Sequence, residues 1–72
     1  MENFNAYLNR LSAFYNDLAY WRYSKDNMSE ENEKYTIKVK ESAKLLREEI
    51  KKLPPDMIRP QVVEHIEKAL SL

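Results

Sequence analysis

The sequence predicts an all-α protein, built as a long antiparallel helical hairpin with a short third helix folded back across it. The 72 residues contain no glycine, which tight hairpin turns and phosphate-binding loops usually require. Apolar residues recur at spacings of three and four along two long segments. The connections between segments are short, which favours antiparallel neighbours. We therefore expect residues 1–72 to form a single small domain, a three-helix bundle.

The first predicted helix covers about residues 2–24. Its main apolar stripe consists of Phe4, Tyr7, Leu11, Phe14, Leu18 and Trp21, and Leu8, Tyr15 and Ala19 widen that stripe. At 100° per residue, the whole set covers roughly 160° of the helix surface. A stripe of this width predicts that helix 1 packs against both of the other helices.

The second predicted helix covers about residues 29–53. Its start has two candidate caps, either the Ser29 hydroxyl followed by Glu30 and Glu31, or Asn27 paired with Glu30 as in a capping box. Its apolar seam is narrow, roughly 80° wide. The seam consists of Tyr35, Val39, Ala43, Leu46, Ile50 and Leu53.

Charged residues fill the other faces of helix 2, which is typical of a solvated surface. Several acids and bases stand four positions apart, where ion pairs stabilise a helix by a few tenths of a kcal/mol each. These pairs are Glu30–Lys34, Lys44–Glu48 and Glu48–Lys52.

The third predicted helix covers about residues 60–71. Pro54 and Pro55 end the second helix, because proline lacks the backbone N–H and disfavours α geometry at the residue before it. Asp56 to Arg59 is expected to form one turn, and Pro60 suits the first helical position. The apolar side of helix 3 consists of Val62, Val63, Ile66, Ala69 and Leu70.

The amino-acid composition argues against several classes of protein. Twelve acids balance twelve bases, and the balance stays near zero along the chain, whereas nucleic-acid-binding domains normally carry a basic excess. The chain has no cysteine and no apolar run near the roughly 20 residues of a membrane span. Its first residues do not resemble a signal peptide. We expect a cytoplasmic protein that does not enter a membrane.

The residues needed for enzymatic chemistry are missing. His65 is the only histidine, and the residues three or four positions away are not metal ligands. We expect it to be a partly exposed histidine on the surface of helix 3. The serines lack the context of a nucleophile, and the acids near the start of helix 2 fit helix-start charge. No catalytic residue, metal or cofactor is therefore expected.

The outer face of helix 1 combines small, amide and aromatic side chains with almost no charge. It is either an ordinary polar surface or a contact surface, since interface centres are depleted in charge and enriched in Tyr, Trp and Arg. Under the second hypothesis, the anchors lie in the stretch AYWRY and the surrounding patch lies one to three turns earlier. The expected contact residues are Tyr20, Trp21, Arg22, Tyr23, Asn9, Ala13 and Asn16.

These observations predict a non-enzymatic protein–protein interaction module that self-associates through helix 1. Size and composition, without any family motif, are typical of small inhibitors or adaptors encoded by bacteria, phages and mobile elements. The alternative is nucleotide or nucleic-acid binding through the same aromatics with Arg22, Lys25 and Lys34. Salt would separate the two hypotheses, because phosphate binding weakens steeply as salt rises.

Overall fold

The computed structural model describes residues 2–72, with side chains described from Phe4 onward. It contains three α-helices and one short 3₁₀ turn. These are α1 (Glu2–Asn27), α2 (Ser29–Ile50), the 3₁₀ turn (Pro55–Met57) and α3 (Pro60–Leu70). Helices α1 and α2 pack side by side as an antiparallel hairpin, and α3 folds back and packs chiefly against α2. The prediction of an all-α three-helix bundle is confirmed.

The core lies where the predicted apolar stripes of the three helices meet. Phe14 of α1 and Leu46 of α2 are fully buried, and Ile66 of α3 is 2% exposed. Burying one such side chain stabilises a fold by about 1.5–3 kcal/mol. The other buried apolar residues are Tyr7, Val39, Ala43, Val62 and Ala69. Both long stripes are therefore confirmed along most of their length.

The edges of the predicted stripes reach beyond the core. Leu8 and Ala19 of α1 are exposed, and so is Val63 of α3. The cause is position around the helix, because Leu8 and Ala19 lie roughly 80–100° from Leu18, on the edge of the stripe that points away from α2. Part of the wide stripe on α1 is consequently left facing solvent.

The hairpin turn is tighter than the sequence suggests. Helix α1 continues to Asn27, and only Met28, at φ −143° and ψ 67°, separates it from α2. Ser29 is already helical, and no side chain caps the start of α2. Both cap predictions are wrong, because the Asn27 amide donates instead to the Tyr23 carbonyl, at 3.1 Å. The acids Glu30 and Glu31 do lie in the first turn.

A buried polar network joins the two sides of this turn. Ser24 is fully buried, and its hydroxyl donates to the Trp21 carbonyl at 3.0 Å. The Asn32 amide of α2 donates to the same carbonyl and to Ser24 Oγ, both at 3.2 Å. Trp21 Nε1 donates to Thr36 Oγ1 at 2.8 Å. Buried polar groups need such partners, so the network holds the turn end of the hairpin in register.

The other end of α2 also differs from its prediction. The helix ends at Ile50, and residues 51–53 form a turn, because the residue before Pro54 is pushed out of α geometry. The expected i,i+4 ion pairs on α2 are absent from the described side chains. Pairs form instead at Lys51–Glu48, Lys52–Glu49 and, on α3, Lys68–Glu64, with every lysine exposed and only Glu49 largely covered. Exposed pairs of this kind contribute little to stability.

Candidate binding surfaces on helix 1

The outer face of α1 presents two largely exposed tyrosines. Tyr20 is 51% exposed and Tyr23 is 58% exposed. Together with Asn16 and Ala19, they line a shallow concavity of about 350 Å³. Both tyrosines and Asn16 are contact residues predicted from the sequence, whereas Ala19 was expected in the buried stripe. We call this surface the tyrosine face.

The tyrosine face continues toward the N-terminus of α1. Asn9 and Ala13, also named from the sequence, are exposed and lie one to two turns before Asn16 on the same side of the helix. No charged residue interrupts this side between Asn5 and Asn27, although a third of the chain is charged. Its members are Asn5, Ala6, Asn9, Ser12, Ala13, Asn16, Ala19, Tyr20, Tyr23 and Asn27.

One of the two tyrosines is already held by a neighbour. The ring of Tyr20 stacks on the ring of Tyr35 from α2, with centroids 5.6 Å apart and planes 11° from parallel. Lys38 Nζ lies 5.6 Å from the centroid of Tyr35. The Tyr20 ring is therefore positioned at the seam between α1 and α2, while Tyr23 projects without a stacking partner among the described residues.

Trp21 and Arg22 lie on a different surface from the two tyrosines. Trp21 is partly buried against the core, and its indole N–H is bonded to Thr36. Lys25 Nζ lies 5.3 Å from its ring centroid. Arg22 is exposed and faces α3. The residues of the stretch AYWRY therefore lie on two different surfaces and do not form one patch.

A groove runs between α1 and α3, and two side chains bridge it. The Tyr15 hydroxyl lies 2.7 Å from His65 Nδ1, and the two rings meet edge to face at 5.5 Å. Burial raises the pKa of Tyr15 above its usual value of 10.0, and neighbouring Tyr7 adds to the effect. His65 is partly exposed, as expected, but the sequence contains no signal that would pair it with Tyr15, 50 positions earlier.

The bridge divides the groove into two concavities. The first measures about 200 Å³ and lies beside the last turns of α1 and α3, lined mainly by Leu18, Trp21, Arg22, Lys68 and Leu72. The second measures about 420 Å³ and lies beside the first turns, lined in part by Phe4, Leu8, Leu11, Met57 and Arg59. His65 lines both. Helices α1 and α3 therefore run in the same direction along the groove.

Within residues 2–72, no three His, Asp or Glu residues are grouped so that they could hold a metal ion. Burial raises the pKa of Tyr7 as well, although the charge of Arg59 opposes the shift. No helix in this part of the chain combines the length and hydropathy of a membrane span. The tyrosine face and the groove both present exposed apolar or aromatic side chains.

Comparisons with known proteins gave no match, whether to family models, to curated proteins or to solved structures.

Proposed function

We propose that this protein is a non-enzymatic interaction module that self-associates through the tyrosine face and acts in the cytoplasm as an inhibitor or adaptor of another protein. The observation that carries the proposal is the uncharged side of α1 from Asn5 to Asn27. Elsewhere on α1 and α2, exposed faces carry the Lys, Arg, Asp and Glu that keep a surface in water. The cytoplasmic location is favoured by the absence of cysteine.

The composition of the tyrosine face supports contact with a protein. Tyrosine is enriched among residues that dominate binding energy, and charged residues are depleted at interface centres. Tyr23 offers a ring that is 58% exposed, and stacking on Tyr35 already fixes the Tyr20 ring. A ring that is ordered before binding loses less conformational entropy on association. Asn9 and Asn16 supply amide donors and acceptors for the polar part of the contact.

A second copy of the chain fits this face well. In a two-fold dimer, the same patch meets itself, so any net charge on the patch would repel its copy. The tyrosine face carries no charge, and Ala6, Ala13 and Ala19 allow another helix to approach closely. A domain of 72 residues has a small core, and association is a common source of additional stability at this size.

Nucleotide or nucleic-acid binding through these aromatics has less support. Tyr23 offers a free ring, but Tyr20 is stacked on Tyr35 and Lys25 lies over Trp21, so the aromatics do not form a continuous platform for successive bases. Arg22 lies toward α3, away from the tyrosine face.

The test is molar mass by light scattering, over protein concentrations from about 1 µM to 1 mM, at low salt and at about 1 M salt. We expect a dimer that persists in high salt, because the face has no charges to screen. Tyr23→Ser should shift the equilibrium to monomer. Ile37→Ser is the matched control, since Ile37 is 57% exposed but lies on α2. That variant should remain dimeric.

Two results would overturn the proposal. If the wild-type protein stays monomeric at the highest concentration, the proposed self-association is excluded. A dimer weakened equally by Tyr23→Ser and Ile37→Ser would place the contact elsewhere. An assembly that forms only in low salt with added oligonucleotide would favour the nucleic-acid alternative.

A further inference from the structure

The groove between α1 and α3 is the second unfilled surface, and it is independent of the tyrosine face. Its walls are largely apolar, and three large side chains along it are partly exposed, with Leu8 at 41%, Met57 at 44% and Leu72 at 42%. Exposed apolar side chains gathered along a groove are typical of interaction sites. In a helical bundle, the element that fills such a groove is another helix.

The groove also gathers positive charge in a chain whose formal net charge is zero. Arg22 and Lys68 line the first concavity, and Arg59 lines the second. Among the described residues that line the two concavities, none carries a carboxylate side chain. Lys68 pairs with Glu64 outside the groove, whereas Arg22 and Arg59 make no ion pair with any described side chain. The charge along the groove therefore complements an acidic partner.

We propose that the groove binds an acidic amphipathic helix of a partner protein, with one large apolar side chain in each concavity. The partner would lie as a fourth helix alongside α1 and α3, as in other complexes where a groove accepts the apolar face of a helix. Its carboxylates would lie on the flanks, within reach of Arg22 and Lys68 at one end and Arg59 at the other.

The Tyr15–His65 bridge determines the spacing of the partner's apolar residues. Leu11 and Leu18 lie on either side of Tyr15, in different concavities, and are separated by seven residues, about 10 Å along α1. A partner helix running along the groove therefore reaches both concavities with side chains at positions i and i+7. The intervening turn passes over the bridge and needs a small side chain there. This spacing separates the partner from a generic amphipathic helix, which is apolar at i+3 and i+4 as well.

A second copy of the chain is a poorer occupant of the groove. The solvent face of α2 mixes lysines with glutamates and has no net acidic side. The exposed side of α1 carries no charge to meet the three cations. Neither long helix of a second copy therefore complements the charge of the groove.

The test uses synthetic peptides and the emission of Trp21, the only tryptophan, which lines the first concavity. The acidic probe is a helix-forming peptide of about 14 residues, with Leu at two positions seven apart, Ala between them on the same side and Glu on the flanks. One control peptide replaces every Glu by Lys. Another keeps the Glu residues and moves the two Leu residues to a spacing of two, which places them on different sides of the helix.

We expect saturable binding of the acidic probe, with a blue shift of Trp21 emission, and no binding of either control peptide. Arg22→Glu and Arg59→Glu should each weaken binding about tenfold, because they place like charges against the carboxylates. Arg47→Glu is the matched charge control, since Arg47 is exposed and lines neither concavity. It should change the affinity by less than about twofold.

A second pair of variants tests the apolar contact. Leu8→Ser should weaken binding, whereas Val63→Ser should not, since Val63 is 39% exposed but lies outside the groove. Circular dichroism would establish that each variant is folded. The proposal is wrong if the acidic probe does not bind up to about 1 mM, if the Lys peptide binds equally well, or if Arg47→Glu weakens binding as much as Arg22→Glu. Preferential binding of an oligonucleotide would also overturn it. None of these outcomes depends on dimerisation through the tyrosine face.

Discussion

Replacing Trp21 and Tyr20 one at a time tests the division of the AYWRY stretch between core and surface. Trp21 packs on the core and donates to Thr36, whereas Tyr20 is 51% exposed. We expect Trp21→Ala to lower the free energy of unfolding severely. Tyr20→Ala should have a small effect, limited to the loss of its stack on Tyr35.

The magnitudes follow from the buried area. A largely buried Trp removes about 150 Å² from water, which at about 25 cal/mol per Å² is worth about 4 kcal/mol. Truncation of buried Trp side chains usually costs about 3–5 kcal/mol. Aromatic pairs such as Tyr20–Tyr35 contribute about 0.5–1.5 kcal/mol. A chain of this length has a total stability of roughly 4–11 kcal/mol, so Trp21→Ala should leave the protein close to unfolding.

The assay is urea unfolding followed by circular dichroism, which does not depend on the tryptophan that is removed. With an m-value of about 1 kcal/mol per M, a loss of 3 kcal/mol lowers the midpoint by about 3 M. Trp21→Phe is the control, because it keeps a ring and removes the N–H that binds Thr36. We expect it to cost about 1–2 kcal/mol. All measurements should be made at a protein concentration where light scattering shows a single oligomeric state.

The decisive contrary result is that Trp21→Ala and Tyr20→Ala lower the unfolding free energy equally, within about 0.5 kcal/mol. The packing of Trp21 against the core would then be wrong. A stable Trp21→Ala variant that loses self-association would move Trp21 to the contact surface.

Two further predictions concern the polar turn and the response to alkaline pH. Asn32→Ala should lower the unfolding free energy by about 1–2 kcal/mol, because it removes hydrogen bonds to Trp21 and Ser24. Urea unfolding would measure this loss. An effect near zero would mean that the network does not hold the turn. Burial raises the pKa of Tyr7 and Tyr15, so the folded state binds their phenolic protons more tightly than the unfolded state. Their contribution to stability is therefore complete below pH 10 and decreases as the pH rises through the folded-state values. Urea midpoints from about pH 9 to 11 should fall more for wild type than for Tyr7→Phe, and equal slopes would contradict the assignment to Tyr7.

The fold was predictable because each sequence pattern that indicates it lies within one continuous stretch of the chain. The alternating spacings on helix 1 and the seam of helix 2 each lie within one continuous segment, and burial follows them at Phe14, Val39 and Leu46. Pro54 and Pro60 marked the boundaries of the last connection in the same way. The helix-start signals at Ser29 and Asn27 misled, because the single residue Met28 closes the hairpin, Ser29 is already helical and the Asn27 amide donates to the Tyr23 carbonyl.

The candidate sites were predictable only in part, for a related reason. Tyr20, Tyr23 and Asn16 lie within eight positions, so their shared face follows from helical geometry alone. The cations of the groove stand at positions 22, 59 and 68, where a running charge balance finds no excess. Only the return of α3 alongside α1 brings them together. The contact between Tyr15 and His65 depends on the same long-range packing.

The one-residue turn at Met28 has a consequence for how the chain folds. Contacts around it, such as Ser24 to Asn32, join residues eight positions apart, whereas α3 docks chiefly on α2 and its bridge to α1 joins Tyr15 and His65, 50 positions apart. Closing short loops costs little entropy, and chains rich in local contacts fold quickly. We expect α1 and α2 to pair first at Met28 and then outward along the hairpin, and α3 to dock last. Pulse-labelled hydrogen exchange would reveal this order as later protection of the α3 amides. Helix α3, which forms one wall of the groove, would then also be the first helix to detach on unfolding.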